Sequence, residues 1–282
     1  MSTTAVASSK PSLQNIWYLI PFIILIGIYA PALSDLIVNW YEDDNYSHGF
    51  LVPLVSGYLI WTQRKQLSAI VLSHDILGIV PIVIGMGLFI LGNGASEYFT
   101  VRFSFLLVLC GLVCYLFGRA IVRANWFAFF FLLFMIPIPY VIYYAATFPM
   151  QAFATTITVF VLDTVGMGVV RQGNIIHIAG HSLEVAEACS GMRSLVSLLA
   201  LGALFAHTSQ RRFLPQIILF LSTIPIAVFA NVVRVFTTTV LVGSGFAEVT
   251  TEPWHSIMGL MVFVIAFVML FVVGLILKQV FK

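Results

Sequence analysis

The sequence predicts an all-α integral membrane protein with about eight transmembrane helices. Of its 282 residues, 61% are hydrophobic and only 9% are charged, whereas soluble domains carry roughly 25% charged residues. Apolar runs long enough to cross a bilayer recur along the chain, and basic residues follow alternate runs. We therefore expect most of the protein surface to contact lipid.

Composition also excludes several classes of function. A net charge of +2 with no basic cluster argues against a nucleic-acid partner. Cys110, Cys114 and Cys189 form an odd set without paired spacing, which argues against a disulfide framework. No combination of His, Cys and carboxylate residues has the spacing of zinc ligands, so we expect neither a metal ion nor another cofactor.

The N-terminal 16 residues are polar and predict a cytoplasmic tail, followed by one polytopic membrane domain over residues 17–282. The first span covers residues 17–37. Ala30-Pro31-Ala32 loosely resembles a signal-peptidase site, so removal of residues 1–32 is the alternative to an uncleaved anchor, which we favour.

The remaining spans follow from apolar runs punctuated by charged loops. They are predicted at residues 49–61, 76–91, 103–117, 126–143, 195–205, 213–243 and 254–277. Arginines and lysines concentrate at alternate ends, which places both termini in the cytoplasm and the acidic loops on the outer side.

Residues 147–165 do not fit a simple span. The segment contains Pro149, Gln151, Asp163 and five threonines. The chain must also cross the membrane an even number of times between the inner loops at Arg123 and Arg211. We therefore expect an amphipathic helix that lies on the outer surface.

A short β-hairpin is expected next, because residues 174–178 and 183–186 alternate in polarity around Gly180-His181. The hairpin leads to Cys189, at the N-terminal end of an apolar helix. Backbone N–H groups and the helix dipole favour a thiolate there, and the thiolate is the nucleophilic form. The alternative is a small packing residue.

Arg234 is the second candidate residue. It lies nine residues before the end of its span, roughly 13 Å deep at 1.5 Å per residue. A charge at that depth is costly and usually faces a cavity or a partner. Asn231 precedes it on the same helical face. The alternative is an arginine that extends towards the interface.

His255 begins the last span on the same outer side, so Cys189, Arg234 and His255 fall at the outer ends of three consecutive spans. Cysteine chemistry needs such a set, because a base moves the proton and a cation stabilises the thiolate or an oxyanion. Other residues compete for supporting or substrate-binding roles. They are Glu187, Ser190, Arg193, Asn231 and His48.

Several motifs resemble those of the exosortase/archaeosortase family. They are Glu187-Ala188-Cys189-Ser190-Gly191, Asn231-Val232-Val233-Arg234, His255-Ser256-Ile257-Met258-Gly259, Tyr46-Ser47-His48-Gly49, Leu51-Val52-Pro53 and Arg171-Gln172-Gly173-Asn174. The resemblance covers about residues 40–265. It implies a membrane cysteine transpeptidase or protease, with Cys189 as nucleophile, Arg234 as stabilising cation and His255 as acid and base.

The resemblance also implies the partners. They are exported proteins with a C-terminal Pro-Glu-Pro-like (PEP-CTERM) motif, a transmembrane helix and a basic tail, together with membrane lipid and a nucleophilic acceptor linked to exopolysaccharide production. The expected location is the plasma membrane of a prokaryote, with the site on the outer face. Alternatives are a transporter that uses Arg234 and Asn231 as an anion site, and a non-catalytic exopolysaccharide-assembly subunit.

Overall fold

The structure is a computed structural model, and it describes residues 17–185 and 192–281, with only the backbone described for residues 192–194. The predicted site residues Glu187, Cys189 and Ser190 lie outside the described residues, as does the side chain of Arg193. The predicted cytoplasmic tail also lies outside them.

Helices form most of the described part of the chain, and three short strands lie between two of them. The helices are α1 (Ile20–Glu42), α2 (Leu51–Thr62), α3 (Arg64–Leu67), α4 (Ile79–Gly94), α5 (Tyr98–Phe117), α6 (Arg119–Ala124), α7 (Trp126–Phe131), α8 (Tyr140–Thr164), α9 (Met192–Ser209), α10 (Phe213–Gly243) and α11 (Trp254–Val280). The strands are β1 (Val169–Gln172), β2 (Ile175–Ile178) and β3 (His181–Glu184). Short 3-10 turns lie at Asp44–Phe50, Ile76–Gly78, Leu132–Met135 and Ala247–Thr250.

Within the described residues, six helices are long and apolar enough to cross a membrane. They are Ile20–Glu42, Ile76–Gly94, Tyr98–Phe117, Tyr140–Thr164, Phe213–Gly243 and Trp254–Val280. The all-α membrane architecture is therefore confirmed. Three of the eight predicted spans are shorter than a full crossing. The helix α2 has 12 residues, and the apolar helical segments Trp126–Met135 and Leu195–Ser209 are also short. The sixth candidate span, Tyr140–Thr164, was not expected to cross the membrane.

The structure divides the region between residues 126 and 165 differently from the prediction. Helical structure that begins at Trp126 ends at Met135, and α8 begins at Tyr140 and continues through Pro149. The reason lies in Pro137 and Pro139, which lack an N–H and disfavour helix in the preceding residue. Ile136 is accordingly extended, with φ −91° and ψ 122°.

The polar side chains of α8 face the protein, contrary to the predicted amphipathic helix with its polar face in water. Thr147, Gln151, Thr155 and Thr158 are buried, whereas Phe148 is exposed. Threonine hydroxyls can bond to the carbonyl one turn earlier, and Thr155 Oγ1 donates to Gln151 O at 2.8 Å. The helix thus combines an internal polar stripe with an apolar outer surface, and it is one of the six candidate spans.

The chain forms two compact units. In the first, residues 17–42 and 49–136, α4 and α5 form an antiparallel pair against which α1 packs. Leu25, Tyr29 and Val108 form part of its buried core. A hydrogen bond of 2.8 Å joins Tyr29 Oη to Ser104 Oγ inside this unit, which satisfies two polar groups that have no access to water.

The second unit, residues 43–48 and 137–281, contains α8, the sheet and the last three long helices. The predicted hairpin is confirmed as β2 and β3, which pair antiparallel from Ile175 with Glu184 to Ile178 with His181. Ala179 and Gly180 both have positive φ, as a tight two-residue hairpin turn requires. Strand β1, which was not predicted from the sequence, pairs with β2 to complete a three-stranded sheet.

One face of the sheet packs against the helices. Ile176 and Val185 are buried in a cluster with Ala154 of α8 and Val235 of α10. Further along, Ile178 packs so closely on the end of α10 that a Cβ on Gly243 would collide with it. The sheet therefore lies over the C-terminal half of α10, the half that carries Arg234.

Candidate functional site

Arg234 and His255 are in direct contact. The Nη2 atom of Arg234 in α10 lies 3.0 Å from Nε2 of His255, the second residue of α11. Only 6% of the Arg234 surface is exposed, so its side chain is buried in the protein and does not extend towards the interface. Two residues that the sequence placed at neighbouring helix ends are thus brought together by the fold.

The chemistry of this contact assigns the direction of the hydrogen bond. A guanidinium has only donors and stays protonated in proteins. His255 Nε2 must therefore accept the hydrogen bond, which makes the imidazole neutral in this arrangement, with its proton on Nδ1. Of these two side chains, only His255 can take up and release a proton, and only Arg234 carries a permanent charge.

The buried face of α10 continues as a polar stripe around Arg234. Asn231 lies one turn earlier on the same face and is 1% exposed. Thr238 and Thr239 lie one turn later and are also buried, and Thr239 Oγ1 donates to Val235 O at 2.7 Å. This stripe explains how a charged residue is accommodated in a helix that otherwise has the composition of a membrane span.

A small open cavity, of about 10 Å³, separates α10 from the end of β3. It is lined by Leu183, Glu184, Val185, Arg234, Val235 and Thr238. The strand and the charged helix face therefore share one space. Val185, which lines the cavity, is the last described residue before Cys189 in the chain.

Two hydrogen bonds connect Val185, the residue after β3, to α8 through Asn174. The backbone N–H of Val185 donates to Asn174 O at 2.9 Å. The side chain of the same asparagine donates from Nδ2 to Gln151 Oε1 at 2.8 Å, and Gln151 is only 7% exposed. Asn174 thus links Val185, which follows β3 and lies four residues before Cys189, to a buried side chain in the middle of α8.

Arg171 anchors the opposite edge of the sheet. Its Nε donates to Gly173 O at 2.8 Å, and its Nη1 donates to Thr156 Oγ1 of α8. Together with Asn174, this residue gives the Arg171-Gln172-Gly173-Asn174 run a physical role, which is to dock the sheet on α8.

The motif around His48 belongs to the same unit as Arg234. His48 Nδ1 lies 3.3 Å from Ser197 Oγ of α9. Tyr46 is buried, and its Oη accepts a hydrogen bond of 3.1 Å from Ile138 N. Desolvation by burial raises the pKa of Tyr46 to about 12 despite that bond, so the phenol remains protonated at neutral pH.

The structure thus brings Arg234, His255 and Asn231 to one region and places His48 against α9, the helix that follows Cys189 in the chain. The sequence does not predict a role for Ser197, and Gln151, expected in an amphipathic helix on the outer surface, is buried. Both lie on apolar helices, where a single polar residue gives little indication of its partner. Among the described residues, no group of three or more His, Cys, Asp or Glu side chains is arranged to hold a metal ion.

Comparison with known proteins identifies one family. The family model described as transmembrane exosortase (Exosortase_EpsH) matches residues 40–272, which is most of the chain. No curated protein and no solved structure matches the chain.

Proposed function

Because the chain belongs to the transmembrane exosortase family, we propose that it is a membrane-embedded cysteine transpeptidase or protease. Its substrates are exported proteins that end in a PEP-CTERM-like sorting motif, a transmembrane helix and a basic tail. It cleaves the peptide chain beside that motif and passes the new C-terminus to a nucleophilic acceptor, an amine or water.

The observation that carries this proposal is the contact between Arg234 Nη2 and His255 Nε2 at 3.0 Å. It joins a permanent cation to a neutral imidazole, and Arg234 also lines the cavity beside the strand from which the chain continues to Cys189. A cysteine nucleophile requires a proton acceptor and a positive charge near the reacting carbonyl. The family motifs supply all three residue types.

The proposed reaction runs through a thioester. Arg234 turns from His255 Nε2 to the substrate carbonyl oxygen, which frees that nitrogen to take the proton of the Cys189 thiol, and the sulfur then attacks the carbonyl carbon. Arg234 donates hydrogen bonds to the oxyanion that forms. When the C–N bond breaks, His255 returns the proton to the leaving amine. The acceptor then loses a proton to His255 and attacks the thioester carbonyl, and the Cys189 thiolate that leaves takes this proton back from His255.

Arg193, Glu187 and Ser190 are proposed as supporting residues close to the nucleophile in the chain. Asn231 extends the polar face on which Arg234 lies, and His48 supports α9 through Ser197. The basic loops favour an orientation with both termini in the cytoplasm of a prokaryote and with this site at the outer face of the plasma membrane. A substrate anchored by its own helix would present its outer juxtamembrane peptide bond at that level.

A processing assay tests the proposal. The wild-type chain and a Cys189→Ala variant are each expressed with a protein that carries a C-terminal sorting signal, and release of the signal is followed by immunoblotting. We expect processing to disappear in Cys189→Ala and to persist in Cys110→Ala and Cys114→Ala, the matched cysteine controls on α5. A transporter that uses Arg234 and Asn231 would retain its activity without Cys189, as would an exopolysaccharide-assembly subunit. Activity retained by Cys189→Ala would therefore refute the proposal.

A further inference from the structure

We propose that the outer edge of β3 binds the substrate as an added strand. The occupant is an extended segment of the exported protein, next to the bond that is cut. This inference rests on the proposed function. It adds a binding site, made of backbone groups, that the motif residues do not identify.

The pairing pattern identifies the backbone groups that face this edge. In antiparallel strands, hydrogen-bonded pairs alternate with non-hydrogen-bonded pairs. The hydrogen bond from Val185 N to Asn174 O fixes the phase. Leu183 and His181 therefore bond to β2, and the N–H and C=O groups of Ser182 and Glu184 point away from it.

The two edges of the sheet differ in how they are held. On β1, Arg171 ties the edge to Thr156 of α8. On β3, the side chains of His181, Ser182 and Glu184 are exposed. Ser182 Oγ lies 2.8 Å from His177 Nδ1 on the outer face of the sheet, so the serine side chain is directed across the face and away from the edge. Within the described residues β3 is the last strand on its side of the sheet, so its outward backbone groups are in position to pair with an incoming strand.

The edge of β3 is continuous with the site proposed for catalysis. Glu184 and Val185 line the same cavity as Arg234. A strand rises about 3.3 Å per residue, so a peptide paired with Ser182 and Glu184 would reach the mouth of that cavity, beside Arg234, within one or two further residues. Backbone pairing would also hold the scissile region in the extended form that nucleophilic attack needs.

The short length of the edge favours a tethered substrate over a second copy of this chain. Two outward-facing residues offer at most four backbone hydrogen bonds, whereas stable protein interfaces bury about 1,200–2,000 Å². A protein anchored in the same membrane has a high effective concentration at the site, so a weak and reversible contact suffices. Because the contacts are made by backbone atoms, they tolerate different side chains.

Cysteine cross-linking tests the register of this added strand. The full chain carries Cys189→Ala, Cys110→Ser and Cys114→Ser, and a single cysteine is introduced as Ser182→Cys or Glu184→Cys. The probe is a membrane-anchored signal-bearing protein with one cysteine moved through six consecutive juxtamembrane positions. Membranes are oxidised with copper phenanthroline. We expect disulfides at alternate probe positions, with the strongest position shifting by two residues between the two variants.

The control is Val170→Cys, an exposed position on β1, for which we expect no alternating pattern. Equal cross-linking from Val170→Cys, a three- or four-residue periodicity, or no shift between Ser182→Cys and Glu184→Cys would overturn the inference. A disulfide between two copies at Ser182→Cys in preference to the probe would also overturn it, because the edge would then be a self-association surface.

A kinetic comparison provides a second measurement in the chain that retains Cys189. Ser182→Pro removes the outward N–H without removing a hydrogen bond to β2, and Ser182→Ala keeps the N–H while losing the same hydroxyl. We expect KM for the signal-bearing protein to be about tenfold higher in Ser182→Pro than in Ser182→Ala, with kcat little changed. Equal KM values would contradict strand addition. Failure of the wild-type chain to cleave the probe refutes the proposed function, whereas cleavage without alternating cross-links refutes only this inference.

Discussion

Arg234 Nη2 donates to His255 Nε2 across 3.0 Å, and these residues lie 21 positions apart on consecutive helices, α10 and α11. The contact places Arg234, which keeps its positive charge, against His255, which can take up and release a proton. It also orients the imidazole, because a hydrogen bond at one ring nitrogen determines which nitrogen carries the proton. The expected effects of substitution follow from this division of roles.

His255→Gln separates the structural role of His255 from its chemical role. A glutamine amide oxygen can still accept the hydrogen bond from Arg234, but the side chain cannot take up a proton. We expect signal processing to fall about 10²–10⁴-fold while the melting temperature in detergent changes little. Normal processing by His255→Gln would exclude His255 as the acid and base.

Arg234→Lys tests the need for the guanidinium fork. Lysine keeps the positive charge but has a single compact ammonium group, so it cannot contact His255 and a developing oxyanion with the same geometry. We expect processing to fall about 10²–10³-fold. Arg212→Lys is the matched control, because Arg212 is exposed and immediately precedes α10, at the end of the helix away from Gly243. We expect this variant to process normally. Equal processing by both variants would contradict the proposed role.

The Gln151–Asn174 hydrogen bond is expected to stabilise the sheet. Gln151→Leu leaves the Asn174 amide without its buried acceptor, and we expect the second unit to lose about 1–2 kcal/mol of unfolding free energy. In a double-mutant cycle with Asn174→Ala, we expect a coupling energy of about 1 kcal/mol, measured by chemical denaturation in detergent. Additive effects of the two substitutions would show that this contact contributes nothing to stability.

Glu97 is expected to cap α5 in a pH-dependent manner. Its carboxylate accepts hydrogen bonds from Phe99 N and from Thr100 N. Desolvation alone would raise the pKa of Glu97, but these hydrogen bonds and the charge of Arg102 outweigh it, so the pKa lies below its usual value. The carboxylate therefore stabilises the folded state above the ordinary glutamate pKa, and this contribution is lost as the pH falls through the lowered folded-state pKa.

The corresponding measurement compares Glu97→Ala with the wild-type chain. We expect Glu97→Ala to lower the unfolding free energy by about 1 kcal/mol at pH 7 and by less at pH 3.5. Thermal unfolding at the two pH values measures this difference. Glu42→Ala is the control, because Glu42 ends α1 and a carboxylate at a helix C-terminus does not act as a cap. An effect of Glu97→Ala that does not change with pH would exclude capping by the carboxylate.

Much of the fold follows from apolar periodicity and from the end signals of helices. The bounds of α10 and the start of α11 agree with the prediction, because Gly243 and Trp254 mark clear changes in polarity. The hairpin was also predictable from alternation around Gly180. These features are local, so a single sequence is sufficient to predict them.

The errors arose where tertiary contacts decide the structure. The threonines and Gln151 of α8 indicated a solvated face, but that face is buried, and Gln151 bonds to Asn174 23 residues away. Strand β1 has four residues, of which three are exposed, and it is stabilised mainly by pairing with β2 and by the Arg171 contacts. Such long-range pairings leave no periodic signal. The Arg234–His255 contact could be anticipated only because both residues lie in the outer halves of neighbouring spans.

Detection of the acyl-enzyme tests the central claim most directly. The chain is purified with a co-expressed signal-bearing protein, and the covalent product is analysed by mass spectrometry before and after neutral hydroxylamine. We expect a thioester between Cys189 and the new C-terminus of the substrate, sensitive to hydroxylamine and absent from Cys189→Ala. Continued processing by Cys189→Ala, or a covalent link at any residue other than Cys189, would contradict the account.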